Sequence, residues 1–110
     1  MTPDKSAELL IVITTFASLE DAKKMAHQLI KGRLAACVQI QESVHSIYRW
    51  DGEICEGKEV LMSAKTIADK WIEISNFIKS HHPYDLPEVI AYAPNKYEAQ
   101  YGKWVEAEVK

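Results

Sequence analysis

Residues 33–65 read R-L-A-A-C-V-Q-I-Q-E-S-V-H-S-I-Y-R-W-D-G-E-I-C-E-G-K-E-V-L-M-S-A-K. Asp51-Gly52 stands between two runs rich in alternating apolar residues, the pattern of a hairpin closed by a two-residue turn. The arms, 33–50 and 53–65, are longer than the usual five or six residues of a strand. Trp50 faces Glu53 across the turn, and equal counting outward sets Ile40 opposite Ser63. Leu34, Ala36, Val38 and Ile40 align with Val60, Met62 and Ala64 only after a shift of one residue. One extra residue in the first arm, within 41–45, produces that shift, so a β-bulge is predicted there.

The flanks of the hairpin read as strands and helices, without internal repeats. Residues 8–16 are β-branched and apolar with no helical gap, a buried central strand. Ser18-Leu19-Glu20-Asp21 then starts a helix: Ser18 can accept a bond from a free backbone N–H, and the acids suit the helix dipole. Ala22, Met25, Ala26, Leu29 and Ile30 follow on one face, and Gly32 supplies the stop. After the hairpin, Thr66-Ile67-Ala68-Asp69 begins a second helix with Ile67, Trp71, Ile74, Phe77 and Ile78 inside. Pro83 prevents its continuation. A strand over 88–93 follows, then a final helix bearing Tyr97, Tyr101, Trp104 and Val105. The order β-α-β-β-α-β plus a C-terminal helix predicts an α+β, ferredoxin-like sandwich with an overlong hairpin. Residues 1–7 read as an N-terminal tail and 8–110 as a single domain.

The far half of the hairpin carries Val44, Ile47, Tyr48, Trp50 and Ile54 beyond the reach of so small a sheet. An isolated apolar ribbon is unstable and aggregation-prone. The same surface of identical chains, closed into a ring, is the simplest cover. On that reading Tyr48, Arg49, Trp50 and Ile54 are interface anchors, as are Tyr101 and Trp104, because interfaces favour aromatics and arginine. The competing reading of Tyr48, Arg49 and Trp50 is a ligand-stacking patch.

Composition narrows the functional classes. The chain has 110 residues, 47% hydrophobic and 26% charged, with 13 basic against 16 acidic side chains and a formal charge of −3. Such a balance describes one globular domain, and with no basic block neither nucleic acid nor a membrane surface is an expected partner. No apolar run is long enough for a membrane helix, and residues 1–6 lack the features of a secretion signal, so a cytoplasmic protein is expected. Cys55 falls opposite Tyr48, and Cys37 lies roughly 35 Å further down its arm. A disulfide tolerates about 7 Å between Cα atoms, so both are expected to be free thiols. Cys37, in an apolar run, reads as a buried and inert one. No phosphate-cradling glycine loop and no nucleophile–histidine–acid order occurs, so an enzyme is not expected.

Two histidines remain. Lys79–Val89 reads K-S-H-H-P-Y-D-L-P-E-V. His81 and His82 can bind a metal, assisted by a carboxylate such as Asp85 or Glu88. They can equally end the helix, bonding its free carbonyls while Pro83 enforces the stop. Glu59 and Lys65 read as solvated or interfacial charges.

R-L-A-A-C-V at 33–38, S-I-Y-R-W-D-G-E-I at 46–54, K-T at 65–66, H-P-Y-D-L-P-E-V at 82–89 and Y-G-K-W-V at 101–105 resemble, in order, the motifs of the CutA family of divalent-cation tolerance proteins. The resemblance implies a cytoplasmic homotrimer with a role in tolerance of metals, chiefly copper, and with weak metal-ion binding. No cofactor is required, and copper or another divalent cation is the implied ligand. In members with a proposed copper site, a cysteine accompanies the two adjacent histidines; here Thr14 stands at its position, leaving His81 and His82 as the implied metal residues. Gly102 departs from the family too, replacing a bulky apolar residue in the last helix. The alternative reading is a trimeric effector-binding or scaffold protein that uses the grooves between subunits and no metal.

Overall fold

The computed structural model describes residues 5–110. Strand β1 (Leu9–Phe16) leads to helix α1 (Leu19–Lys31), then to β2 (Cys37–Trp50) and β3 (Glu53–Ile67). A 3-10 turn (Ala68–Lys70) opens helix α2 (Trp71–His81); β4 (Ile90–Tyr92) and helix α3 (Ala99–Glu108) complete the chain. The sheet order is β2-β3-β1-β4, every neighbour antiparallel. This is the expected α+β arrangement with its long hairpin. Of the expected tail, residues 1–4 lie outside the described residues. Next to them, the Ser6 and Glu8 carbonyls accept the N–H groups of Asp69 and Ala68, tying the start of the chain to the 3-10 turn.

Alternation along β1 divides the molecule. Val12 and Phe16 face α1 and α2 and meet Met25, Leu29, Met62, Ile74 and Ile78 in the main core. Leu9, on the other face, joins Ile67, Val105 and Val109 under α3. Helix α3 covers only that end. Ile11 and Ile13 are left half-buried in the middle of the open face, beside Ile90 and Tyr92, which are 55% and 51% exposed. The sequence points to the ribbon and to Tyr101 and Trp104 as exposed apolar surface, and does not foresee this uncovered face.

The hairpin obeys its predicted register. Cys37 to Gln41 pair with Lys65 to Leu61, the ladder shifts between Gln41 and Val44, and Val44 to Trp50 pair with Glu59 to Glu53. Ser43 takes the left-handed conformation at φ 62° within the bulge. Asp51 and Gly52, at φ 52° and 80°, form the primed turn that matches strand twist. Strand β1 reaches only to the pair Phe16–Val60, so residues 44–59 stand beyond the sheet as a two-stranded ribbon. Ile47 and Ile54 are 68% and 70% exposed on it, and Tyr48, Arg49 and Trp50 are also exposed.

Several boundaries depart from expectation. Thr66 and Ile67 belong to β3, not to the second helix, because Ile67 pairs with Leu9 and packs under α3. Helix α1 stops with Gly32 at an ordinary φ of −81°, and Arg33 adopts the left-handed φ of 57° instead. Arg33 is then placed to donate from Nη1 to the Glu108 carbonyl at the end of α3, 3.1 Å away. The second strand begins at Cys37 rather than at residue 33, and β4 shortens to three residues. Tyr97 lies before α3, whose N-cap is Glu98; its carboxylate accepts the N–H groups of Gln100 and Tyr101, which holds it below the usual carboxylate range. The Tyr97 ring lies over Gly102, where an added Cβ would meet it at 2.5 Å, and its hydroxyl accepts the Leu9 N–H. Gly102 therefore makes room for a ring from the preceding loop. No helix among the described residues is long and apolar enough to cross a membrane.

Candidate functional site

The two histidines part company at the end of α2. A residue before proline is pushed into extended backbone, and His82, ahead of Pro83, has φ −77° and ψ 139°. That change of direction turns its ring inward while His81 stays on the last helical turn, exposed.

His82 is only 9% exposed. Its Nε2–H donates to the Thr15 carbonyl at 2.7 Å, and its Nδ1 accepts the Tyr84 backbone N–H at 3.0 Å. The ring stacks on Phe16, centroids 4.4 Å apart, and tilts against Tyr84 at 4.7 Å. Burial lowers its pKa from 6.5, opposed by the bond to Thr15 and by the negative charges of Asp21 and Glu59. Both ring nitrogens are engaged, leaving no lone pair for a metal without breaking the link between β1 and the turn after α2.

His81 behaves differently. Its Nδ1–H donates to the Phe77 carbonyl at 3.0 Å, one turn back, with Ser80 Oγ also within 3.0 Å. The ring stacks on Phe77 at 4.0 Å. Nε2 then carries the lone pair and has no hydrogen-bond partner among the described residues. The helix-ending role is present in its hydrogen bonds, and one donor atom is left over.

Thr14 is fully buried on the core face of β1, and its Oγ1 has no hydrogen-bond partner. Positions 14, 81 and 82 thus supply a hydroxyl in the core, an engaged imidazole and a surface imidazole. They do not fit a shared three-ligand site. Asp85 and Glu88 are exposed and bond neither histidine. Among the described residues no group of three His, Cys, Asp or Glu is placed to hold an ion. An orphaned buried hydroxyl costs about 1–3 kcal/mol. Thr14→Val, equal in shape, is therefore expected to stabilise the fold by about 1 kcal/mol, read as a higher denaturant midpoint.

One pair escaped the sequence reading. Tyr84 donates its hydroxyl to Glu59 Oε2 at 3.0 Å, and burial followed by this carboxylate pushes the phenol up to about 12. Glu59 lies one residue past the end of the β1–β3 ladder, where the chain after His82 passes. The available signal was the length of β1, which decides the neighbour of residue 59. Glu59 is half-buried and bonded rather than solvated.

The other candidates are dispersed. Tyr48, Arg49, Trp50 and Ile54 lie on the ribbon, whereas Tyr101 and Trp104 form a tilted pair, 5.7 Å apart, on α3 by the opposite end of β3. Cys37 and Cys55 are free thiols and both half-buried; Cys37 lies opposite Lys65, whose ammonium donates to Gln39 Oε1.

Comparison with known proteins agrees with this architecture. The family model for the CutA1 divalent ion tolerance protein matches residues 10–108. The divalent-cation tolerance protein CutA of Pyrococcus horikoshii is 40% identical over 102 residues, which span 93% of this chain and 99% of that protein. The crystal structure of CutA from Xylella fastidiosa superposes with a TM-score of 0.90 at 30% identity, covering 94% of this chain and 99% of that one. The periplasmic divalent cation tolerance protein CutA from Archaeoglobus fulgidus gives 0.89 at 29% identity over 93% and 99%. With a family match over nearly its whole length and the same fold in its relatives, the chain belongs to the CutA1 divalent ion tolerance proteins, a family of tolerance proteins rather than enzymes.

Proposed function

We propose that the chain works as a homotrimer in divalent-cation tolerance, and that each subunit holds copper or a similar ion weakly, at its surface, through His81. The observation that carries the metal part is the unpartnered Nε2 of His81, beside a His82 whose two nitrogens are engaged. Imidazole suits Cu(II) and Zn(II), and Cu(II) heads the affinity order for such donors. One imidazole supplies too few ligands for tight binding. Two uncovered apolar surfaces, the ribbon and the open sheet face, support assembly. Two unpaired thiols support a reducing compartment, the cytoplasm; the A. fulgidus relative is described as periplasmic, and cell fractionation distinguishes the two locations.

Calorimetric titration of the purified chain with Cu(II) tests the metal reading. His81→Ala is expected to lower the affinity about tenfold or more, the equivalent of ~1.4 kcal/mol. Equal affinity in wild type and His81→Ala removes His81 from the reading. The engagement of His82 and the burial of Thr14 favour a second reading: a trimer that binds an organic effector or acts as a scaffold through grooves between subunits. Native mass spectrometry that finds an organic molecule and no metal selects it.

A further inference from the structure

The ribbon meets the sheet at Val60. On one side of Val60 lies Phe16, the last residue of β1; on the other lie the bulge residues Glu42 and Ser43, which have no Cα partner in β3. A bulge breaks the ladder and bends its strand, and beyond Val60 strand β3 has also lost its bonds to β1. The base of the ribbon is therefore where a swing costs least. From Val44 to Trp50 the ribbon rises about 20 Å. A swing of about 10° at the base carries the tip about 3.5 Å aside, enough to part any hydrogen bond made there.

One side-chain contact spans that base. Tyr84 donates its hydroxyl to Glu59 Oε2 at 3.0 Å, and Glu59 belongs to the first pair beyond the bulge, with Val44. Among the described residues, no other side-chain hydrogen bond, ion pair or ring contact joins residues 44–59 to the rest of the chain. Tyr84 is itself anchored. Its backbone N–H donates to His82 Nδ1, and His82 donates from Nε2 to the Thr15 carbonyl while its ring stacks on Phe16. Three consecutive hydrogen bonds thus run from the end of β1, through the turn after α2, to the ribbon. The last of them ends on a carboxylate, which makes it roughly twice as strong as a bond between neutral groups.

We infer that Tyr84 and Glu59 are positioning residues that brace the ribbon against the end of α2 and fix the angle at which it meets a second copy of the chain. The purpose rests on the trimer proposed above; the brace itself lies within one subunit. A ribbon without it samples a range of angles, and association must then arrest that motion at an entropic cost.

Hydrogen exchange of the full chain, read by mass spectrometry, tests the brace, and sedimentation over a concentration series tests its purpose. Tyr84→Phe keeps the ring against His82 and removes the bond. Its ribbon amides, residues 44–58, are expected to exchange about tenfold faster while those of the β1–β3 ladder keep their wild-type rates. The proposed trimer is expected to dissociate at about tenfold higher concentration. Glu59→Ala should match Tyr84→Phe, and the double variant should be no worse than either, since one bond is lost in all three. Wild-type ribbon exchange in Tyr84→Phe overturns the brace, and so does a uniform acceleration through the sheet, which reports a general loss of stability. Faster ribbon exchange with unchanged association overturns the positioning role. A wild-type chain that sediments as a monomer refutes the trimer instead, and the exchange rates still decide the brace.

Discussion

The wild-type chain is expected to sediment as a trimer, and the double variant Ile13→Glu/Ile90→Glu as a 12.5 kDa monomer. Ile13 and Ile90 are direct partners on β1 and β4 and point away from α1 and α2. The subunit core is therefore left intact. In an assembly that buries the open face, two carboxylates per chain would leave water with no cationic partner. Each desolvated ion costs several kcal/mol, and the burial of each isoleucine, about 2 kcal/mol, is lost as well. Multiplied over the subunits of a ring, that exceeds what a stable association can absorb. Analytical ultracentrifugation at micromolar concentration reads the result. A wild-type monomer would refute the trimer, and a double variant that keeps the wild-type mass would show that the open sheet face is not the interface.

His82→Ala is expected to be the most damaging single change at the histidine corner, lowering stability by about 3–4 kcal/mol. It removes a ring stacked on Phe16 and orphans two backbone groups, the Thr15 carbonyl and the Tyr84 N–H. His81→Ala, at an exposed site, should cost under about 1 kcal/mol. Denaturant unfolding at fixed protein concentration compares the two, since the proposed association would make midpoints concentration-dependent. The pH dependence follows from the direction of the His82 shift. Its pKa is lower in the folded chain than the ordinary 6.5, so the unfolded chain binds the proton more readily. The contribution of His82 is complete above pH 6.5 and is lost as pH falls through the lowered value. With chelator present, wild type should lose stability on that descent, and His82→Ala should lack this component. Equal stabilities for the His81→Ala and His82→Ala proteins would refute the structural role.

Local signals located most of the fold. Asp51-Gly52 specifies its own turn, and the apolar parity of the two arms places the bulge, since a one-residue slip would turn Val38 and Ile40 out of the core. Residues whose fate depends on distant neighbours were not legible. Ile67 reads as helical from its spacing to Trp71, yet Leu9 and Val105 hold it in the sheet. Tyr97 reads as part of a helix, but the gap above Gly102 draws it onto the helix surface. At the candidate site, His81-His82-Pro83 gives the corner, while the inward turn of one ring and the free edge of the other depend on Thr15, Tyr84 and Phe77. Only Thr15 and Phe77 follow from topology. The open face of the sheet was hidden because α3 could have covered all of it; its ten residues reach only the end near Leu9.

The extra residue between Gln41 and Val44 works as a parity inverter. Upstream of it, the even-numbered residues of β2 look toward the two helices; downstream, the odd-numbered ones do. Tyr48 and Trp50 consequently share a side with Ile11 and Ile13, whereas Ile47 and Ile54 fall on the side of the helices. Excising a single codon there would turn Tyr48 and Trp50 to the side of the helices and Ile47 and Ile54 to the open one, leaving composition almost untouched.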